Sequence, residues 1–350
     1  MIELVRRGDP FPGAAFPEPC YRIPALAVTP SGRLLAAFDV RRDHIDLPGD
    51  FDIALAHSDD DGRTWTTPRT LRRHEPGHGF GDVSLLADPA TGRVHAFYAG
   101  STGSSFWDDA EDDGNGLELW HACSEDDGDT WTHAPWTIDT SDYGSAFASS
   151  GNGIALSSGR LVQPMVVRPR HSTSRLAVMA ISDDHGATWT LGQPLPDCDE
   201  NKVVELADGR LLLHARDTPL RRQAYSDDAG ETFSDPVPHP DLPDPSCNGG
   251  LVRLADGRLA CTLLDPPSGE LDAALDPTRG QGSGLAWGRR ANLVVRWSDD
   301  DGLTWPHAAV IDPGDSAYSV LVALPDGSAT VLYERGTYDS LAFATLPVTL

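Results

Sequence analysis

Lysine is almost missing from this chain: of 27 basic residues in 350, Lys202 alone is a lysine and the rest are arginine. The bias is most simply one of codon usage, but arginine is also the better ligand for a carboxylate. Positive charge of any kind is scarce, and 53 acidic residues leave a net charge of −26. That balance excludes nucleic acid and anionic membrane surfaces as expected partners. No apolar run approaches the roughly 18 residues of a membrane-spanning helix, so no membrane insertion is expected. The first ten residues carry Glu3, Arg6, Arg7 and Asp9 and lack an apolar h-region. As numbered, no secretory leader is read, which leaves location open between cytoplasmic and, had a leader been removed, secreted. Five cysteines (Cys20, Cys123, Cys198, Cys247 and Cys261) form no C-x-x-C pair. Free thiols are expected, with no disulfide framework, no metal site and no cofactor.

Long amphipathic helical stretches are absent too. What is abundant is turn chemistry, with 34 glycines and 28 prolines, alongside nine tryptophans. This composition fits many short strands joined by tight turns.

Two interleaved repeats organise those strands. The first is an apolar stretch, a small or acidic residue with glycine, and a second apolar stretch. It occurs six times, as TPSGRLLAAF, DPATGRVHAFY, LSSGRLVQPMV, LADGRLLLHAR, LADGRLACTLL and LPDGSATVLYE. From Gly32 to Gly327 the mean step is about 59 residues. Each copy reads as a β-hairpin whose glycine accepts positive φ. The second repeat, S-x-D-x-G-x-T-[WF], occurs five times: Ser58–Trp65, Ser124–Trp131, Ser182–Trp189, Ser226–Phe233 and Ser298–Trp305. Its aspartate can bond nearby backbone N–H groups, its glycine turns the chain, and its aromatic ring packs between sheets. A calcium loop is the rival reading, but position twelve of the first copy is Pro68 rather than a bidentate glutamate.

Hairpins and boxes alternate. The expected fold is therefore all-β: a six-bladed β-propeller of four antiparallel strands per blade, A to D, built by residues 1–350 as one domain. The sixth hairpin lacks a box and is one strand short, so Met1–Arg7 is predicted to supply the missing strand. Glycine turns and boxes then share one face of the disc. The other face collects Arg22, Asp46, Asp82, Glu200, Arg216, Arg290, Tyr318 and Glu334. Long connections over 100–116 and 265–289 favour that same face, where Phe106 and Trp107 read equally well as an apolar wall or as a solvated flap.

These motifs resemble the bacterial neuraminidase (sialidase) family, whose Asp-box repeats match the five boxes and whose arginine motif matches Y-R-I-P at Tyr21–Pro24. The resemblance covers nearly the whole chain and implies an exo-sialidase. It places one arginine of a triad at Arg22, and an acid at Asp46 with Asp43 and Asp50 as competitors. DENKVVELADGRLLLHAR gives Glu200 and Arg216, with Glu205 pointing away from the mouth. RRANLVVRWSDDDG gives Arg290, or Arg289 as fallback. AYSVLVALPDGSATVLYE gives Tyr318 as nucleophile and Glu334 as a partner of Arg22. GDVS at Gly81–Ser84 resembles the family's G-D-P-S and offers Asp82 as a sugar-hydroxyl ligand.

The implied chemistry is coherent. Sialic acid carries a carboxylate on its anomeric carbon, which three arginines can clamp. A neutral phenol meets no repulsion from that carboxylate, and sialidases are the tyrosine exception among retaining glycosidases. The phenol needs a base, for which Glu200 is placed, and the leaving oxygen needs an acid, for which Asp46 is placed. Expected partners are sialylated glycoproteins, glycolipids and oligosaccharides. The alternatives are a non-catalytic Asp-box binding propeller, a same-fold enzyme such as a deaminated-sialic-acid hydrolase or trans-sialidase, and a two-aspartate glycanase that would leave the arginines unexplained.

Overall fold

The computed structural model describes residues 1–108, 116–266 and 289–346, and among these residues all regular structure is β. Residues 109–115 and 267–288, within the connections at 100–116 and 265–289, lie outside the described residues.

After β1 (Ile2–Arg6), the first sheet runs β2 (Cys20–Val28), β3 (Leu34–Arg41), β4 (Asp52–Ser58) and β5 (Arg69–Arg72). The second runs β6 (Gly79–Ala87), β7 (Val94–Ser101), β8 (Glu118–Ser124) and β9 (Thr132–Pro135). In the third unit the inner strand is broken into β10 (Tyr143–Ala148), β11 (Gly151–Asn152) and β12 (Ile154–Ala155). Here β11 leaves its own sheet to pair in parallel with β6. That unit continues through β13 (Leu161–Pro169), β14 (Leu176–Ser182), β15 (Thr190–Leu191) and β16 (Leu195–Pro196). The fourth sheet is β17 (Asn201–Glu205), β18 (Leu211–Ala215), β19 (Leu220–Ser226) and β20 (Val237–Pro243).

The last sheet has seven strands: β21 (Leu251–Arg253), β22 (Leu259–Leu264), β23 (Ala291–Ser298), β24 (His307–Ala323), β25 (Ala329–Arg335), β26 (Ser340–Leu346) and, paired antiparallel with β26, β1. The first segment of the chain thus supplies the strand that the sixth hairpin lacked. Where six separate four-stranded sheets were expected, the hydrogen-bonded sheets among the described residues number five. The cause is β24, 17 residues long, whose first half pairs with β23 and whose second half pairs with β25. No turn interrupts that strand, so two expected units share one ladder.

The boxes join the sheets into a propeller-like ring. In the first, Ser58 Oγ donates to Asp60 Oδ1 (2.8 Å) and Gly62 N–H donates to Ser58 Oγ (2.9 Å). Thr64 donates to Asp60 through its N–H (2.8 Å) and its hydroxyl (2.7 Å). Gly62, at φ 81°, lies flat on Phe343 of the last sheet, with no room for a Cβ. Gly128 sits likewise on Leu35, Gly186 on His95 and Gly302 on Leu212, each on the preceding sheet. Apolar clusters fill the same seams. Leu26, Leu34 and Phe38 pack against Val320, Leu332 and Phe343, closing the first sheet onto the last. Each such fully buried side chain contributes about 1.5–3 kcal/mol.

Candidate active site

At the face opposite the boxes, the inner strands depart from regular pairing. The β2–β3 ladder shifts register between Arg22 and Ala25, the β6–β7 ladder between Gly81 and Ser84, and the β24–β25 ladder between Ser316 and Ser319. Ile23 and Asp82 occupy the left-handed region, both at φ 58°. For a β-branched residue this is strained, by about 1–3 kcal/mol, and such bulges re-aim neighbouring side chains. Here they turn Arg22, Asp82 and Tyr318 towards one point.

Glu334, fully buried at the end of β25, holds two of these bulges together. Its Oε1 accepts from Arg22 Nε (3.0 Å) and from Ile23 N–H (2.9 Å). Its Oε2 accepts from the N–H of Tyr318 (3.0 Å). One carboxylate therefore ties the arginine strand to the tyrosine strand.

The guanidinium carbons of Arg22, Arg216 and Arg290 lie 5.6, 5.9 and 5.4 Å from the centre of the Tyr318 ring. All three arginines are buried. The Tyr318 hydroxyl donates to Glu200 Oε2 and accepts from Arg216 Nη1 at 2.7 Å, while Arg216 also pairs with Glu200. Burial opposes ionisation of Glu200, but Arg216, the tyrosine hydrogen bond and Lys202 outweigh it and hold the carboxyl below its ordinary range. Burial pushes the Tyr318 hydroxyl well above its ordinary value, with Arg216 and Arg290 opposing and Glu200 reinforcing. The resting pair is thus a neutral phenol hydrogen-bonded to a carboxylate.

Asp46 lies on the rim with its side chain 68% exposed, accepting from Arg41 Nη1 (2.7 Å) and Arg22 Nη1 (3.3 Å). Desolvation by the protein packed behind the rim works against its charge, yet Arg41 and Arg22 hold its carboxyl below the usual range. The competing aspartates serve the loops instead: Asp43 accepts from Ile45 N–H (2.8 Å) and Asp50 from Gly77 N–H (2.9 Å). Arg289 turns to Asp315 at 3.2 Å with its side chain half exposed, so Arg290 is the one that meets Tyr318. Glu205 binds Ser157 on the opposite face.

Asp46, Asp82, Glu200, Arg216 and Tyr318 line one cavity together with Phe106, Trp107, Phe147, Arg175 and Asp199. Phe106 packs edge-on to Phe147 with ring centres 5.1 Å apart, giving the cavity an aromatic side. Of the three arginines, only Arg216 is in the cavity wall. Arg22 and Arg290 reach the site through the tyrosine ring. Of the eight residues picked from the sequence, Asp46, Asp82, Glu200, Arg216 and Tyr318 line the cavity, while Arg22, Arg290 and Glu334 lie behind it against Tyr318.

Beyond the cavity-lining Phe147, Arg175 and Asp199, two buried groups behind the site were also missed. Arg41, fully buried, donates to Asp39 (2.6 Å), Asp46 (2.7 Å) and Asp82 (3.1 Å). It ends β3 as Arg216 follows the end of β18, so the same topological rule could have found it. Tyr338 places its ring 4.4 Å from the Arg22 guanidinium and accepts from Arg290 Nη1 at 3.3 Å. It lies in a turn beyond β25 that no repeat marks.

The BNR repeat-like domain family matches residues 24–331. A sialidase of Micromonospora viridifaciens is 39% identical over 91% of this chain and 50% of its own length. A sialidase of Bacteroides fragilis is 30% identical over 90% of this chain and 60% of its own. The solved structure of a Hadza microbial sialidase superposes with a TM-score of 0.79 at 27% identity, covering 93% of this chain and 66% of that one. The chain belongs to the bacterial sialidase family with BNR repeats. It spans about half to three-fifths of the length of the two curated relatives named here.

Proposed function

We propose that this chain is a retaining exo-α-sialidase that cleaves terminal sialic acid from glycoproteins, glycolipids or oligosaccharides. One observation carries the reading: three buried guanidinium groups from separate sheets converge within 6 Å of one tyrosine ring whose hydroxyl already donates to a carboxylate. We read residues 1–350 as a single propeller domain and count the seven-stranded sheet as two blades sharing β24, which gives six.

Arg22, Arg216 and Arg290 bind the substrate carboxylate. Tyr318 Oη attacks the anomeric carbon as Glu200 takes the phenolic proton, and the bond to the aglycone oxygen breaks. Asp46 supplies the proton that oxygen needs. In the second half-reaction Asp46 deprotonates a water, which attacks the same carbon, and the tyrosine oxygen recovers its proton from Glu200. Two inversions leave the configuration retained. Arg41 and Arg22 favour the ionised form of Asp46 in the free protein. A substrate carboxylate on Arg22 offsets part of that charge and makes protonation of Asp46 easier at the moment an acid is required. We assign a sugar hydroxyl to Asp82, which lines the cavity and pairs with Arg41 behind it.

The test is turnover of aryl sialosides bearing N-acetyl, N-glycolyl and deaminated head groups, with the first-formed anomer read by NMR. The α-anomer is expected first. The β-anomer, an anhydro-sugar or a transfer product overturns retaining hydrolysis, and no turnover of any head group favours a binding propeller. Tyr318→Phe should lower kcat by about 10³-fold while an unsaturated sialic acid analogue still binds. More than a few per cent residual turnover removes Tyr318 from its role.

A further inference from the structure

The chain's single lysine is nowhere near solvent. Lys202 is 2% exposed, in the inner strand β17, two residues beyond Glu200. Its Nζ donates to Ser150 O (2.6 Å), Asn248 Oδ1 (2.9 Å) and, more weakly, Asn201 O (3.4 Å). An ammonium has three donors and no acceptor, so the Asn248 atom facing it must be the amide oxygen. The amide nitrogen is thereby turned the other way. Asn248 Nδ2 donates to Glu200 Oε1 (3.1 Å) and Ser150 O (3.0 Å), and Ser150 Oγ donates to Glu200 Oε1 (3.1 Å). The two oxygens of Glu200 are consequently divided: Oε1 is occupied by Asn248 and Ser150, and Oε2 faces Tyr318 and Arg216.

The surrounding backbone is cut to fit an amine. Gly151, at φ 117°, passes so close that a Cβ there would fall 2.9 Å from Lys202 Cε and 3.2 Å from Nζ. A planar guanidinium with five donors does not match a socket of three oxygens, and this is the one place where a chain otherwise restricted to arginine carries lysine.

We propose that Lys202 is a positioning residue that fixes the Asn248 carboxamide and so reserves one oxygen of Glu200 for the proton of Tyr318. The proposal rests on the sialidase reading of the site. The charged neighbours agree with it. Burial lowers the Lys202 ammonium to about 7, with Glu200 favouring the charged form and Arg221 opposing it. Arg221 is itself paired with Asp244 at 3.0 Å. His214, directly across the ladder from Lys202, is kept neutral by burial. Loss of the lysine removes one of the positive charges holding Glu200 low, so the carboxyl must rise.

Lys202→Met removes charge and donors with little change in bulk. Expected is a fall in kcat of about tenfold or more, with KM within about twofold because Lys202 touches no substrate. The acid limb of the kcat/KM profile should move up by about half a pH unit or more. A folded Lys202→Met protein with an unmoved limb and unchanged kcat overturns the proposal. If that variant fails to fold, the wild-type chain still answers. Labelling with [ε-13C]lysine gives one internal resonance in the whole protein, and its titration midpoint should fall in Glu200→Gln. Equal midpoints in the two proteins overturn the coupling. Absence of sialoside turnover in the wild type counts against the function alone, since the lysine resonance reports the Lys202–Glu200 contact without substrate.

Discussion

Asp60 in the first box and Asp82 at the mouth carry the same side chain at opposite faces of the disc, and their surroundings move it in opposite directions. Asp60 is exposed. Its oxygens accept from the hydroxyl and N–H of Thr64 and from Ser58, which brings its pKa down to about 2. Asp82 is pushed up to about 8, first by burial and then by the charges of Asp39, Asp46 and Glu200, with Arg41 opposing them. The box aspartate is satisfied by donors within four residues of itself. The mouth aspartate is set by groups from several sheets, and its backbone is held at φ 58° as well. One face spends its carboxylates on making turns. The other concentrates more negative charge than its nearest arginine can neutralise, which is a poor way to build a turn and a workable way to build a site.

That contrast can be broken in order of expected effect. Asp46→Ala should slow a natural sialoside by about 10²–10⁴-fold, the usual range for general acid–base groups, and an aryl sialoside with a good leaving group far less. Equal losses on both substrates would mean that Asp46 donates no proton. Glu334→Gln leaves three donors facing a group that can no longer accept from all of them. It should cost about 3–5 kcal/mol in urea unfolding and raise KM, because Arg22 loses its anchor. A variant as stable as wild type would show that the tie between β2 and β24 is incidental.

Asp82→Asn probes the raised carboxyl through stability. Because its folded pKa lies above the unfolded value, the native state holds a proton that the unfolded chain releases between about pH 4 and 8. Stability from this group therefore declines as pH rises through that window. The asparagine variant should flatten the decline, gaining on wild type at pH 8 relative to pH 4, and an unchanged slope would remove Asp82 as its source. Asp60→Ala is the smallest effect: a modest drop in urea midpoint at neutral pH with unchanged kcat/KM. The Asp60 contribution is present above about pH 3.9 and lost as pH falls towards 2, the opposite sign to Asp82. A change in turnover for Asp60→Ala would erase the division between the two faces.

Much of the fold was legible because its instructions are short. A box closes on itself over eight residues, and Ser58, Asp60, Gly62 and Thr64 make their bonds within that span. Counting hairpins against boxes also showed that the last unit needed a strand from residues 1–7, and β1 supplies it. The continuity of β24 was not legible, since nothing in IDPGDSAY distinguishes an extended crossing from a turn with Pro313 and Gly314. In the site, Tyr318, Glu200 and the three arginines could be chosen by face and by family resemblance. Lys202 could not. Its rarity was visible, but its meaning depends on Ser150 and Asn248, roughly 50 residues away on either side.

By itself the sequence determined the strands, the turns, the boxes and which face each strand end occupies, because alternation and local hydrogen bonds act over a few residues. Only the tertiary structure decided which aspartate meets an arginine, which arginine meets the tyrosine, and where protons rest. Those outcomes depend on burial and on charges summed over residues from 22 to 334, and no short window of the chain contains that sum.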